Sequence, residues 1–124
     1  MPSISEARFH QAVLEDVDRL KREIGYNPTR FLQMVAEYGA PDAARRLLQG
    51  RDGSDGFTTL WAAGRLNMTI EAMALLPWYE DLFTRQELSN ARRRLEEHKF
   101  DIDAYLATAW SNPPGWWGEV QANQ

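Results

Sequence analysis

Apolar residues recur along this chain at helical spacing, and nowhere do they alternate as a half-buried strand requires. The clearest stripe is Phe9, Val13, Val17, Leu20 and Ile24, at steps of four, four, three and four. Those steps set all five on one face of a helix. Ser3 and Glu6 stand ahead of the stripe with the spacing of a capping box. Gly25 follows it, a residue that accepts the left-handed conformation in which many helices end. The pattern predicts a first helix over 4–24.

A second start is marked by Asn27-Pro28, a favoured N-cap followed by proline at the first helical position, where a missing amide costs nothing. Phe31, Leu32, Val35 and Tyr38 then form an inward face that Gly39 stops. Pro41 opens a third helix with Ala44, Leu47 and Leu48 inward, and Gly50 to Gly56 reads as a flexible connection. Ser54 is expected to cap a fourth helix carrying Phe57, Leu60 and Trp61 and ending near Gly64, and most of the chain's tryptophans are expected in the core. Asn67 or Thr69 caps a fifth, with Ile70, Met73 and Leu76 inward. Thr84 and Glu87 form a second capping box before Leu88, Ala91 and Leu95. A last helix over 101–110 carries Ile102, Tyr105, Leu106 and Ala109, and Asn112-Pro113-Pro114-Gly115 terminates it. The fold expected is all-α: a compact single-domain bundle of about seven short-to-medium helices over 1–111. A tail over 112–124, holding Trp116 and Trp117 without helical period, follows.

Composition narrows the functional classes. The chain has 124 residues, 44% of them hydrophobic and 26% charged, which is the balance of one globular domain able to bury a core without staples. It has no cysteine, so a disulfide scaffold, a thiolate metal site and a thiol nucleophile are excluded together. No signal-peptide pattern and no membrane-spanning apolar run is present, so a cytoplasmic location is expected. The net charge of −4 gives no help to non-specific nucleic-acid binding.

Several segments carry a resemblance together: Gly25-Tyr26-Asn27-Pro28-Thr29-Arg30-Phe31-Leu32-Gln33-Met34, Ala43-Ala44-Arg45-Arg46-Leu47-Leu48, Asp55-Gly56-Phe57-Thr58-Thr59-Leu60-Trp61, Gly64-Arg65-Leu66, Thr69-Ile70-Glu71-Ala72 and Leu82-Phe83-Thr84. Spread over residues 9–100, they resemble a widespread family of small uncharacterised bacterial all-helical proteins. The resemblance implies a bacterial or phage setting and an autonomous domain, and it supplies no catalytic residues. The tryptophan-rich stretch after Ser111 lies outside it.

Candidate chemistry is sparse. Glu6 and His10 share a helix face at the spacing of a ligand pair but match no motif, and His98 lies where an imidazole meets the negative end of a helix dipole. No catalytic, cofactor or metal residue is assigned. The Gly50–Gly56 loop lacks the lysine of a phosphate loop and the glutamate of a calcium loop. Residues 27–49 have the lengths of a helix-turn-helix, with Arg45 and Arg46 on the second helix, and residues 85–99 form a basic helix with Arg92, Arg93 and Arg94. Those three consecutive arginines splay over roughly 200° of a helix rather than lining one stripe, and pairing with Glu96 or Glu97 is expected. Asn27 and Pro28 are read as structural. So is Arg65, placed after a helix end to satisfy open carbonyls and pair with Glu71.

Tryptophan is the residual signal, with five in the chain. Trp116 and Trp117, with Trp110 nearby, either fold back over the domain or anchor a partner. The functional expectation is a non-enzymatic protein–protein interaction module whose partner is an unidentified protein. The alternative is a nucleic-acid-binding or regulatory helical domain using the five arginines.

Overall fold

The structure is a computed structural model and describes residues 3–50 and 55–122. Among them lie eight α-helices and two short 3-10 turns, with no strand, so the protein is all-α. Helix α1 spans Ile4–Ile24. The Ser3 hydroxyl accepts the Glu6 amide and the Glu6 carboxylate accepts the Ser3 amide, both at 3.1 Å, closing the expected capping box. Gly25 ends α1 at φ 69°, where its N–H reaches the Leu20 and Lys21 carbonyls.

Helix α2 spans Thr29–Tyr38, which corrects the expected start. Pro28 sits at φ −81°, ψ 72°, outside helical geometry, and Asn27 offers its backbone carbonyl, not its side chain, to the Thr29 amide at 2.9 Å. Asn27 is therefore no side-chain cap, and Pro28 is the cap residue and not the first helical one. Helix α3, Ala40–Gln49, follows after the single residue Gly39. Its φ of 86° turns the chain between two helices without an intervening loop, a conformation a Cβ would strain.

Helix α4 spans Asp55–Ala62, and a 3-10 turn at Leu66–Met68 leads into the short α5, Ile70–Ala74. The expected Ser54 cap lies outside the described residues. Thr69 caps α5: its hydroxyl accepts the Ala72 amide at 3.1 Å and donates to the Leu66 carbonyl at 2.7 Å. A second 3-10 turn, Glu80–Leu82, precedes α6 at Arg85–Glu97, which the Thr84–Glu87 capping box starts as expected. Helix α7 spans Ile102–Trp110 and α8 spans Gly115–Ala122. The eighth helix corrects the expectation of an aperiodic tail.

The core gathers around Phe9, fully buried, with Tyr79 and Phe83 edge-on at ring-centre distances of 5.1 and 5.6 Å. Val13, Val35, Leu48, Met73, Ala91, Leu95 and Ile102 complete it from six helices. A smaller group of Leu20, Leu60 and Met68 packs with Ile24 and Tyr26 at the far end of α1. Trp61 is an exception to the expectation that most tryptophans lie in the core: it is 50% exposed, because the interior of α4 is taken by Phe57 and Leu60.

Helix α6 fastens α3 from behind through a polar stripe at Glu87, Asn90 and Arg94. Glu87 accepts the Gln49 side-chain amide at 2.8 Å, and Asn90 donates to the Leu48 carbonyl at 2.8 Å. The Arg94 guanidinium donates to the carbonyls of Leu47 and Gly50. These bonds satisfy the open carbonyls that every helix C-terminus leaves.

Candidate functional site

The five arginines of the nucleic-acid alternative do not assemble into a basic surface. Arg94 is buried with Glu71, Nη1 to Oε2 at 3.1 Å, each side chain 4% exposed. Arg92 and Arg93 point outward against Glu96 and Glu97, both at 3.9 Å, as the i,i+4 spacing predicts. Arg45 donates to the Leu82 carbonyl at 2.7 Å, and Arg46 lies over the Tyr38 ring at 3.9 Å, with Asp42 beside both. The expected pairing of Arg65 with Glu71 is also corrected. Arg65 meets Glu23 at 2.6 Å, tying the end of α4 to α1, while Glu71 belongs to Arg94. Hydrogen bonds from Arg65 and Arg19 hold the Glu23 carboxyl below the usual carboxylate range. Burial pushes the Glu71 carboxyl up, against the opposing pull of its own backbone amide and of Arg94.

His10 is partly buried, and its Nδ1 accepts the Ala40 amide at 3.2 Å, so it caps α3 from outside the helix. Glu6, expected beside it, is held in the capping box of α1. His98 sits at the C-terminus of α6 as expected, its Nδ1 2.8 Å from the Arg94 carbonyl. Its ring takes Phe57 and Trp61 edge-on at 4.8 and 5.0 Å. Among the described residues no group of three or more His, Cys, Asp or Glu side chains could hold a metal ion. No described helix is long and apolar enough to cross a membrane.

The tryptophans do come together. Trp78 lies at the centre, with Trp110 edge-on at 6.1 Å and Trp117 tilted at 6.5 Å. Trp116 packs on Tyr79 at 5.9 Å and on Trp117 at 6.3 Å. The two alternatives for the tail are thus unequal in what they bury: Trp116 and Trp117 are partly buried against the core, while Trp110 is 54% exposed. Asp101, Asp103 and Glu119 stand exposed on the same two helices or at their start, and residues 100–124 contain no lysine or arginine. The Tyr79 hydroxyl under this surface is pushed up to about 12, chiefly by burial and then by Asp16 and Glu15.

A second feature escaped the sequence reading. A cleft of about 560 Å³ opens between α1, α2, α4 and α5, with walls that include Val17, Leu20, Phe31, Leu60, Met68 and Met73. Asp16 lines it from α1, between two turns of the apolar stripe, and is partly buried. Burial pushes its carboxyl up to about 6; Arg19 opposes the rise and Glu15 adds to it. The signal was present in the sequence. An aspartate three residues after Val13 and four before Leu20 sits beside the buried face of an amphipathic helix, where a carboxylate is costly.

No known protein family, curated protein or solved structure matches this chain.

Proposed function

We propose that this protein is a non-enzymatic protein–protein interaction module of bacterial or phage origin, the setting that the resemblance implies. Its docking face is the aromatic ridge of α7 and α8. One observation carries the reading: Trp110 leaves half of its surface in solvent while its ring is held edge-on against Trp78. Rings of this kind supply contact area at low entropic cost, because their rotamers are already fixed before the partner arrives. Trp117, which also packs on Trp78, widens the ridge. The acids Asp101, Asp103 and Glu119, with no base among residues 100–124, select a partner that presents lysine or arginine beside an apolar anchor. A basic side chain laid over these indoles also gains cation–π attraction. Nothing comparable supports nucleic-acid binding, since the arginines named for it are each engaged with an acid, a ring or a carbonyl.

Trp110→Arg tests the reading. The arginine stem still covers Trp78 and its charge suits a helix C-terminus, so the fold is retained, while a basic partner is repelled. Tagged protein expressed in its native cells is expected to retain a specific partner that the Trp110→Arg variant loses at an unchanged melting temperature. Equal capture by both proteins, or capture by neither, refutes the assignment of this face.

A further inference from the structure

We propose that the cleft between α1, α2, α4 and α5 binds an amphiphilic organic cation, an amine carried on an apolar chain or ring, with the amine seated on Asp16. The site is separate from the tryptophan ridge and stands without it. Its volume, about 560 Å³, falls in the range of small-molecule pockets. Its walls are hydrocarbon and thioether, from Val17, Leu20, Phe31, Leu60, Met68 and Met73, so the body of the ligand is apolar.

The polar groups decide the head. Glu71 also borders the cleft, but Arg94 already neutralises it. Asp16 differs: among the described residues none makes a hydrogen bond or ion pair with it, and Arg19, whose charge acts on it from the same helix, is bonded to Glu23. A partly buried carboxylate that no described side chain pairs keeps its acceptor positions open to a donor from water or from a ligand in the cleft. An ammonium is the complement, since it offers three N–H donors and a full charge to an acceptor-only group. Arg30 also lines the cleft and would favour an anionic head, but it is exposed, so water screens its pull. The desolvated charge governs the choice over the solvated one.

The experiment titrates the full chain, by calorimetry and by amide chemical shifts, with octylammonium, octanol and octanoate below their micelle concentrations. Octylammonium is expected to bind about tenfold or more tighter than octanol, the scale of one charge-assisted hydrogen bond. Its shifts should centre on the residues around Asp16 and Met73. Asp16→Asn keeps the side chain's shape and is expected to abolish the preference while leaving octanol affinity unchanged. Three results overturn the proposal: octanoate binding tightest, the preference persisting in Asp16→Asn, or none of the three probes binding. None of these bears on capture through Trp110.

Discussion

Arg94→Met removes a cation from a buried ion pair. The wild-type guanidinium neutralises Glu71 and donates to the Leu47 and Gly50 carbonyls at the end of α3. Methionine fills similar volume along the stem but donates nothing. Glu71 is then a carboxylate 3% exposed with no counter-charge, and two helix-terminal carbonyls lose their donors. Breaking a buried pair from one side costs about 3–5 kcal/mol, a large part of the 5–15 kcal/mol that typically holds a domain together. At this chain length each kcal/mol moves the melting temperature by about 4 °C, so a fall of roughly 12–20 °C is expected.

Glu71 raises the cost and also offers a way to check it. Its carboxyl is already pushed up by burial, and removing Arg94 takes away one of the two influences that hold it down. The variant's deficit should therefore shrink as the pH is lowered and Glu71 takes up a proton. Adding Glu71→Leu to Arg94→Met should restore most of the loss, because an apolar pair of similar volume often matches a buried ion pair. Thermal melts by circular dichroism at pH 5 and pH 7.5 measure all three proteins. A single variant that melts within about 2 °C of wild type refutes the reasoning, as does a double variant no better than the single.

Three further outcomes follow from particular contacts. Asp16→Asn should stabilise the protein by about 1 kcal/mol at pH 8, after discounting for solvent screening of a partly exposed group, and by nothing at pH 4. The sign follows from a folded-state value near 6 against an ordinary 3.8: wild type gains stability as pH falls through 6 and has all of it below 4, so a pH-independent difference between the two proteins in urea titrations refutes it. Thr84→Ala should cost about 1 kcal/mol by opening the capping box of α6, while Asn27→Ala should change stability by less than about 0.5 kcal/mol because its side chain caps nothing; equal effects in denaturant melts would falsify the helix starts. Ending the chain at Ser111 should cost about 2–4 kcal/mol, since it uncovers Trp78 and Tyr79 and removes two partly buried indoles, and an unchanged melting temperature refutes the packing of α8.

Local chemistry was the legible part of the fold. Both capping boxes, the left-handed Gly25 and the stripe from Phe9 to Leu20 are set by residues within one or two turns of each other, and each appears where the pattern puts it. Asn27-Pro28 shows how a local rule misplaces a boundary: proline suits the first helical position, but Pro28 here adopts ψ 72° and the helix starts one residue later. Helix α8 was illegible for a different reason. Its sequence, with glycines at 115 and 118, is a poor helix former in isolation, and two prolines precede it. It forms because Trp116 and Trp117 find Tyr79 and Trp78, nearly 40 residues away in sequence, and short helices draw most of their stability from such packing.

The same distinction divides the charged residues, and it bears on where function resides. Arg92 and Arg93 face acids four positions on, a pairing the sequence shows directly. Arg94 follows them with no local sign of difference, yet it turns inward to an acid 23 residues back and to carbonyls more than 40 residues back. A run of three arginines thus contains two solvated side chains and one structural pin, and a count of basic residues cannot tell them apart. Long-range pairing also isolates Asp16. Once Arg19 bonds Glu23, Glu23 bonds Arg65 and Glu71 bonds Arg94, Asp16 remains, among the described residues, as the acid of this apolar wall without an ion pair of its own. Structural demands account for the paired groups, whereas the proposal of a ligand in the cleft rests on the one acid there to which they give no partner.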